Sequence, residues 1–230
     1  ALMPTNRRYA FDVRKIIRHL FDTESFIETR PDMGRAIITG LARVEGRAVA
    51  ILASDCRHLG GAIDGESATK AAALYQLAER WRLPVVSLID TPGFMVGPES
   101  EAGGAPRLMS DLFIAGATLT QPIVAIFLRR AYGLGAMAMT GGSFEVPRYA
   151  ASWPQGEFGA MGLEGAVQLG FRQELAEAPD EGARQALYDK LLAEMYDKGR
   201  AVEAASYLEI DAVIQPEETR AAISRALVAS

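Results

Sequence analysis

The stretch Pro122-Ile123-Val124-Ala125-Ile126-Phe127-Leu128-Arg129-Arg130-Ala131-Tyr132-Gly133-Leu134-Gly135-Ala136 decides the architecture. Ile123 to Leu128 is a short unbroken apolar run, the pattern of a strand buried on both faces. The run ends in a basic pair and then enters small residues that open a helix over Gly133 to Thr140. An earlier segment repeats this plan: Pro84 precedes the apolar run Val85 to Ile89, a Gly/Pro-rich loop follows from Thr91 to Gly104, and a helix is predicted over Leu108 to Leu119. Each unit begins with a proline and ends its strand at a loop that must approach something closely. The two runs are therefore expected to be buried neighbours.

Upstream, Ala36 to Val44 and Ala48 to Ala53 flank Glu45-Gly46, which reads as a β-hairpin with a two-residue turn. Glu66 to Trp81 is a predicted helix with Ala73, Leu77 and Ala78 on one face, stopped by Leu83-Pro84. Phe11, Val13, Ile16, Ile17 and Leu20 recur at helical spacing. The last third is helical over Gly162 to Ala176, Asp180 to Ala205 and Glu217 to Ala229, with a short strand at Ala212-Val213-Ile214. The order of elements argues for an α/β fold with parallel crossovers. No linker divides it, so residues 1–230 are expected to form one domain.

The 230 residues are 49% apolar and 23% charged with a net charge of −5, which places the chain among globular proteins and gives no basic footprint for nucleic acid. Cys56 cannot form an internal disulfide, and with only His19 and His58 no Cys/His metal cluster is expected. Cys56 is expected to be a plain packed or surface thiol, and a reducing, cytoplasmic setting is the default. Leu112 to Leu128 lacks charge but is broken by Gly116 and Gln121-Pro122, so it is expected to be a helix followed by a strand rather than a membrane span. Arg7, Arg8, Arg14, Lys15 and Arg18 against Asp12 have the charge of a transit peptide, yet the apolar spacing fits a mature amphipathic helix; a mitochondrial matrix location stays open. The initial Ala1 raises the expectation that something upstream has been removed.

Asp90-Thr91-Pro92-Gly93 matches the DxxG element of GTPases literally, but no GxxxxGK[ST] accompanies it, and a strand-end turn explains it as well. Gly141-Gly142-Ser143-Phe144-Glu145 fails the GxSxG elbow at its last position. Gly133 to Ala136 carries more information. Backbone N–H groups at a helix start are free donors, and little side-chain bulk surrounds them, so a carbonyl or enolate oxygen could approach as in an oxyanion hole. Close packing of helix on strand is the competing reading of the same glycines.

Six ordered blocks together resemble a known family: Tyr9 to Ile17, Phe26-Ile27-Glu28, Gly40 to Arg43, Leu88 to Met95 with Gly97 and Glu101, Arg130 to Gly133, and Trp153 to Glu157 with Met161-Gly162. They are similar to the C-terminal half of the carboxyltransferase component of biotin-dependent acyl-CoA carboxylases, the acetyl-CoA and propionyl-CoA type. The resemblance spans about residues 9–225. It implies a crotonase (ClpP-like) fold of ββα units, with the family's N-terminal half, which chiefly handles acyl-CoA, absent from this sequence. It also implies transfer of a carboxyl group from carboxybiotin to the α-carbon of an acyl-CoA, with this chain on the biotin side.

Carried onto this sequence, the resemblance places biotin binding at Gly133, Leu134, Gly135 and Ala136, with the amides of Leu134 and Gly135 as oxyanion donors. The family's usual Gly-Gly-Ala-Tyr reads Gly133-Leu134-Gly135-Ala136 here, so Leu134 adds bulk and restricts φ. Phe94, Met95, Gly97 and Met137 are candidates for the substrate pocket. Met137 and Met139 suit an apolar or larger acyl group, or simply fill core gaps. The implied partners are acyl-CoA, a biotin carboxyl carrier protein, a biotin carboxylase, the carboxyltransferase N-terminal half and further copies of this chain. A carboxyacyl-CoA decarboxylase or a non-catalytic crotonase-fold interaction domain would share these motifs.

Overall fold

The computed structural model describes Met3, Pro4, Asn6, Arg7 and residues 9–228. Arg8 of the basic N-terminal run and Ala229 at the end of the last predicted helix lie outside the described residues. The sheet follows the order β1 (Ile27–Thr29), β2 (Ile37–Val44), β3 (Arg47–Ser54), β4 (Val85–Thr91), β5 (Ile123–Tyr132), β6 (Tyr149–Ser152), β8 (Ala212–Val213), with β7 (Glu157–Gly159) pairing the end of β5. β2 (Ile37–Val44) and β3 (Arg47–Ser54) are the expected antiparallel hairpin. Its turn residues Glu45 and Gly46 have φ of 50° and 79°, the backbone a tight two-residue hairpin requires. The Asp22 carboxylate accepts both turn amides, at 3.0 and 2.8 Å.

β3, β4 (Val85–Thr91) and β5 (Ile123–Tyr132) run parallel, with Val85 beside Ile123 and Leu88 beside Ile126. The apolar runs are therefore adjacent and buried, as expected. Pro84 and Pro122 lack a donor but still feed the ladder: their carbonyls accept from Ala50 N–H and Val85 N–H, each at 2.9 Å.

The reason for unbroken apolarity is visible on the two faces. Ile123, Ala125 and Phe127 pack under α2 (Gly65–Trp81), α4 (Ala105–Ala117), α5 (Gly133–Ala138) and α9 (Ala201–Ser206). Val124, Ile126 and Leu128 pack under α1 (Val13–Leu20) and α10 (Thr219–Val228). α1 buries Val13, Ile16, Ile17 and Leu20 as the spacing predicts, and is N-capped by Asp12. The expected face of α2 is corrected: Ala68, Ala71, Ala72, Tyr75 and Ala78 are buried, while Ala73 and Leu77 are half-buried. Its register is set by the Asp64 cap and by Tyr75, whose hydroxyl donates to the Ala138 carbonyl at 3.1 Å.

Other boundaries also move. The predicted loop 91–104 contains α3 (Pro98–Ala102), and three short strands escaped the reading, β1 (Ile27–Thr29), β6 (Tyr149–Ser152) and β7 (Glu157–Gly159). The helix expected over 162–176 divides at Phe171 into α6 (Leu163–Gly170) and α7 (Arg172–Ala176). The helix expected over 180–205 divides into α8 (Glu181–Lys198) and α9. Gly199 makes that second break: a Cβ there would stand 2.6 Å from the Phe158 carbonyl oxygen, which only glycine permits. The short strand expected at 212–214 is β8 (Ala212–Val213), beside β6. Among the described residues no helix is long and apolar enough to cross a membrane.

Candidate active site at the carboxyl ends of β4 and β5

Open α/β sheets bind ligands beyond the carboxyl ends of their parallel strands. Here three loops meet at that edge, 60–63, 91–95 and 132–136, and they touch backbone to backbone. Gly135 needs its missing side chain because a Cβ would lie 2.7 Å from Gly93 Cα. Gly61 and Gly93 have φ of 86° and 110°. Ile63 N–H donates to the Gly93 carbonyl at 2.9 Å, and Met95 N–H donates back to Ile63 at 2.8 Å. Thr91 Oγ1 donates to the Gly61 carbonyl at 2.7 Å and accepts from Gly93 N–H at 3.1 Å.

The aspartate of the DxxG match is committed elsewhere. Asp90 is fully buried and accepts from Arg129 Nε and Nη2 at 3.1 and 2.7 Å, and from Arg130 Nε and Nη2 at 2.9 and 3.0 Å. Burial works to raise its pKa, yet the bonds to Arg130 and Arg129 hold it below the ordinary carboxylate value. Arg129 also ties down the N-terminal arm through the Arg7 and Tyr9 carbonyls at 2.7 and 2.9 Å, and Arg130 reaches the Gly60 carbonyl at 2.8 Å. The element that resembles a switch is a structural clamp. Two guanidinium groups against one carboxylate also leave a positive charge at this strand end, where an anionic oxygen would be drawn.

α5 starts where β5 stops. Tyr132 is its N-cap residue, in extended conformation, and no side chain caps the helix. Gly133 has φ of 58°, and a Cβ there would meet the Ala160 carbonyl at 2.7 Å. Leu134 is 62% exposed and outside the positive-φ region, so its bulk points to solvent and does not disturb the turn. Gly135 and Ala136 are buried. The first amides of this helix have no intrahelical acceptor, so the turn offers backbone donors beside an exposed leucine. Close packing and donor geometry, which the residues alone left as competitors, coexist: Gly135 is demanded by packing, and its amide remains a first-turn donor.

The four residues expected to line a substrate pocket do not converge. Met95 and Gly97 line a cavity of about 830 Å³ with Leu59, Asp64, Glu66 and Leu108. Phe94 packs into the core against Phe113, with ring centroids 6.1 Å apart. Met137 lines a different cavity of about 450 Å³, with Phe144, Phe158 and Tyr207. The rotation of a helix explains this separation, since Met137 lies on α5 away from the Gly93 contact. Met139 is fully buried and receives a hydrogen bond from Ser54 Oγ on its sulfur at 3.3 Å, so it is core. Cys56 is buried, and burial pushes its thiol pKa up; Phe11 N–H donates to its sulfur at 3.3 Å. Of the two expected positions, packed or surface, the structure gives the packed one.

Sequence reasoning assigned no role to Tyr132 or Glu157, although both fall inside the quoted blocks. β7 lies against the end of β5, and Tyr132 Oη donates to Glu157 Oε2 at 2.8 Å. Arg7 Nη1 lies 3.1 Å from Glu157 Oε1. Spacing cannot reveal this group, because its members are 25 residues apart or more.

The family described as carboxyl transferase domain matches residues 1–230. The acetyl-/propionyl-coenzyme A carboxylase beta6 subunit of Mycobacterium tuberculosis is 35% identical over 99% of this chain and 48% of its own length. The long chain acyl-coenzyme A carboxylase beta4 subunit of the same species is 33% identical over 99% of this chain and 43% of its own length. A solved single-chain, multi-domain long-chain acyl-CoA carboxylase aligns with TM-score 0.89 and 48% identity, covering 98% of this chain and 22% of that one. A solved transcarboxylase 12S, described as a hexamer with methylmalonyl-coenzyme A bound, aligns with TM-score 0.91 and 30% identity, covering 99% of this chain and 43% of that one. The chain thus spans about half the length of the curated relatives it matches. With a crotonase-like α/β architecture and a glycine turn at the end of β5, this chain belongs to the carboxyl transferase domain family and corresponds to the C-terminal half of its acyl-CoA carboxylase members.

Proposed function

We propose that this chain forms the biotin-side half of the active site of a biotin-dependent acyl-CoA carboxyltransferase. The observation that carries this reading is the uncapped start of α5, placed by Gly133 at the carboxyl end of β5. The amides of Leu134 and Gly135 are the donors for an anionic oxygen, and Gly133 and Ala136 complete the turn that receives the cofactor. Biotin fits this turn chemically: its ureido oxygen is a pure acceptor, and what the turn presents is backbone donors next to a net positive clamp. When bound on a carrier domain, biotin brings the carboxyl group and the basic site that this histidine-poor edge lacks.

The chain's own groups then act by position. The 134 and 135 amides hold negative charge on the acceptor oxygen, and the Asp90–Arg129–Arg130 clamp keeps their strand from moving. Acyl-CoA and the second set of donors come from the family's other half, and the carboxyl group is loaded by a biotin carboxylase acting on a carrier protein. Leu59, Val96 and Leu134, which are 54%, 82% and 62% exposed, surround the same loops. Such a surface suits cover by the other half or another copy of this chain. The long-chain relative at 48% identity favours a larger acyl group over acetyl. A cytoplasmic setting goes with this activity.

The test removes one N–H without touching packing. Replacing Leu134 by its α-hydroxy acid analogue turns that amide into an ester and should lower kcat on the order of 10²–10³-fold in carboxyl transfer assayed with the other half present. The unmodified 230-residue chain alone should transfer nothing. Full turnover by the ester variant, or by the chain alone, would overturn the assignment.

A further inference from the structure

We propose that Glu157 is a positioning residue which, through the Tyr132 hydroxyl, sets the direction of the 133–136 amides; this rests on the function proposed above. Tyr132 is the last residue of β5 and the N-cap of α5, so the path of its backbone determines where the first helical amides point. Its ring is buried and its hydroxyl is committed to Glu157 Oε2 at 2.8 Å. Glu157 in turn is held from two sides. Its own backbone lies on β7 against Arg130, with Phe158 and Gly159 beside Ala131 and Tyr132. Its second oxygen meets Arg7 at 3.1 Å, and the Arg7 guanidinium sits 3.9 Å from the centre of the Tyr196 ring on α8. Tyr196 Oη donates to Glu164 Oε1 on α6 at 2.7 Å.

The strand that carries Glu157 is anchored on its far side as well. Phe158 N–H donates to the Gly199 carbonyl at 2.7 Å, and Ala201 N–H donates to the Gly156 carbonyl at 3.1 Å. β7 is thus clamped between the end of β5 and the link joining α8 to α9, so its carboxylate reaches Tyr132 from a fixed frame. Gly133 rests on the carbonyl of Ala160, one residue beyond β7. The turn is therefore supported by β7 through its backbone and through one side-chain bond, and the side-chain bond can be removed alone. Burial, followed by the nearby Glu157 charge, pushes the Tyr132 phenol well above its ordinary value, so it stays a donor.

Three variants separate positioning from bulk stability. Tyr132→Phe and Glu157→Ala break the bond, whereas Glu157→Gln keeps an oxygen that accepts from the phenol. In the 230-residue chain, hydrogen exchange at the bonded amides 136–139 that follow the free donors should accelerate about tenfold in the first two variants and stay near wild type in the third. Amides in the middle of β4 and β5 should not change. In carboxyl transfer with the other half present, the first two should lose about 10–100-fold in kcat with KM for acyl-CoA within about twofold. Glu79→Gln, which disturbs the Thr120 contacts before β5, serves as a control of similar cost outside the site. Exchange that accelerates evenly across the sheet, no acceleration at 136–139, or unchanged kcat despite acceleration would each overturn the inference. If the wild type transfers no carboxyl group, the proposed function fails, and the exchange result still decides whether Glu157 fixes the turn.

Discussion

The edge formed by β4, β5 and their loops and the arm formed by α6, α7 and α8 are built on opposite principles. At the edge, backbone touches backbone: Gly135 lies on Gly93, Gly61 on the Asp90 carbonyl, and a buried aspartate holds two arginines. In the arm, the 18-residue α8 has no buried residue at all, and Leu187, Leu191, Leu192 and Met195 are only half-covered. The comparison teaches where precision is needed. A turn whose task is to aim amides tolerates no added atom, whereas a helix that supports it from outside can be remodelled at its surface.

The largest effect that sharpens this contrast is expected at Asp90. Asp90→Ala leaves the buried Arg129 guanidinium and the part-buried Arg130 guanidinium without their carboxylate and should cost about 3–5 kcal/mol in urea unfolding. The acid side of the same clamp follows from its depressed pKa. A carboxylate whose folded value lies below the ordinary 3.8 contributes stability in full above that value, and loses it as pH falls through the folded value. Unfolding free energy should therefore decline with acidification below about pH 4, and the decline should be shallower in Asp90→Asn. An equal acid slope in both proteins would assign the loss to other carboxylates.

Glycine substitutions come next in size and should differ in sign between the two regions. Gly135→Ala forces a methyl to 2.7 Å from Gly93 Cα and should destabilise by about 1–3 kcal/mol. Gly165→Ala, inside α6, meets only the mobile end of Met161 at 3.6 Å and should stabilise by about 0.5–1 kcal/mol. Melting curves of the two variants check the pair; a loss at Gly165 equal to that at Gly135 would break the comparison. Leu134→Gly is the smallest expected change. It restores the family's usual residue at a solvent-facing position and should cost about 0.5–1 kcal/mol while retaining carboxyl transfer.

The strands, the hairpin and α1 were legible because their signals are local. An unbroken run such as Val85 to Ile89 implies helices on both sides of a sheet, and Glu45-Gly46 implies a two-residue turn. The split helices were not legible, because nothing near Gly199 says that a carbonyl of β7 will lie against it. β7 itself has only three residues and no periodicity to detect. Within the site, Gly133 to Ala136 could be singled out from composition, but two readings of those glycines remained. The tertiary contacts separate their roles: Gly133 adopts a positive φ, Gly135 avoids Gly93, and Leu134 faces solvent.

By itself, then, the order of apolar runs, prolines and glycines determined an α/β chain with two buried parallel strands ending in close-packed loops, since period and turn chemistry act over a few residues. Only the tertiary structure decided that Asp90 would spend its charge on Arg129 and Arg130, that Met137 and Met95 would line different cavities, and that Glu157 would reach Tyr132. Each depends on groups from distant parts of the chain meeting in space, and ion pairs, cavities and aimed amides are set by distance in three dimensions rather than by spacing along one.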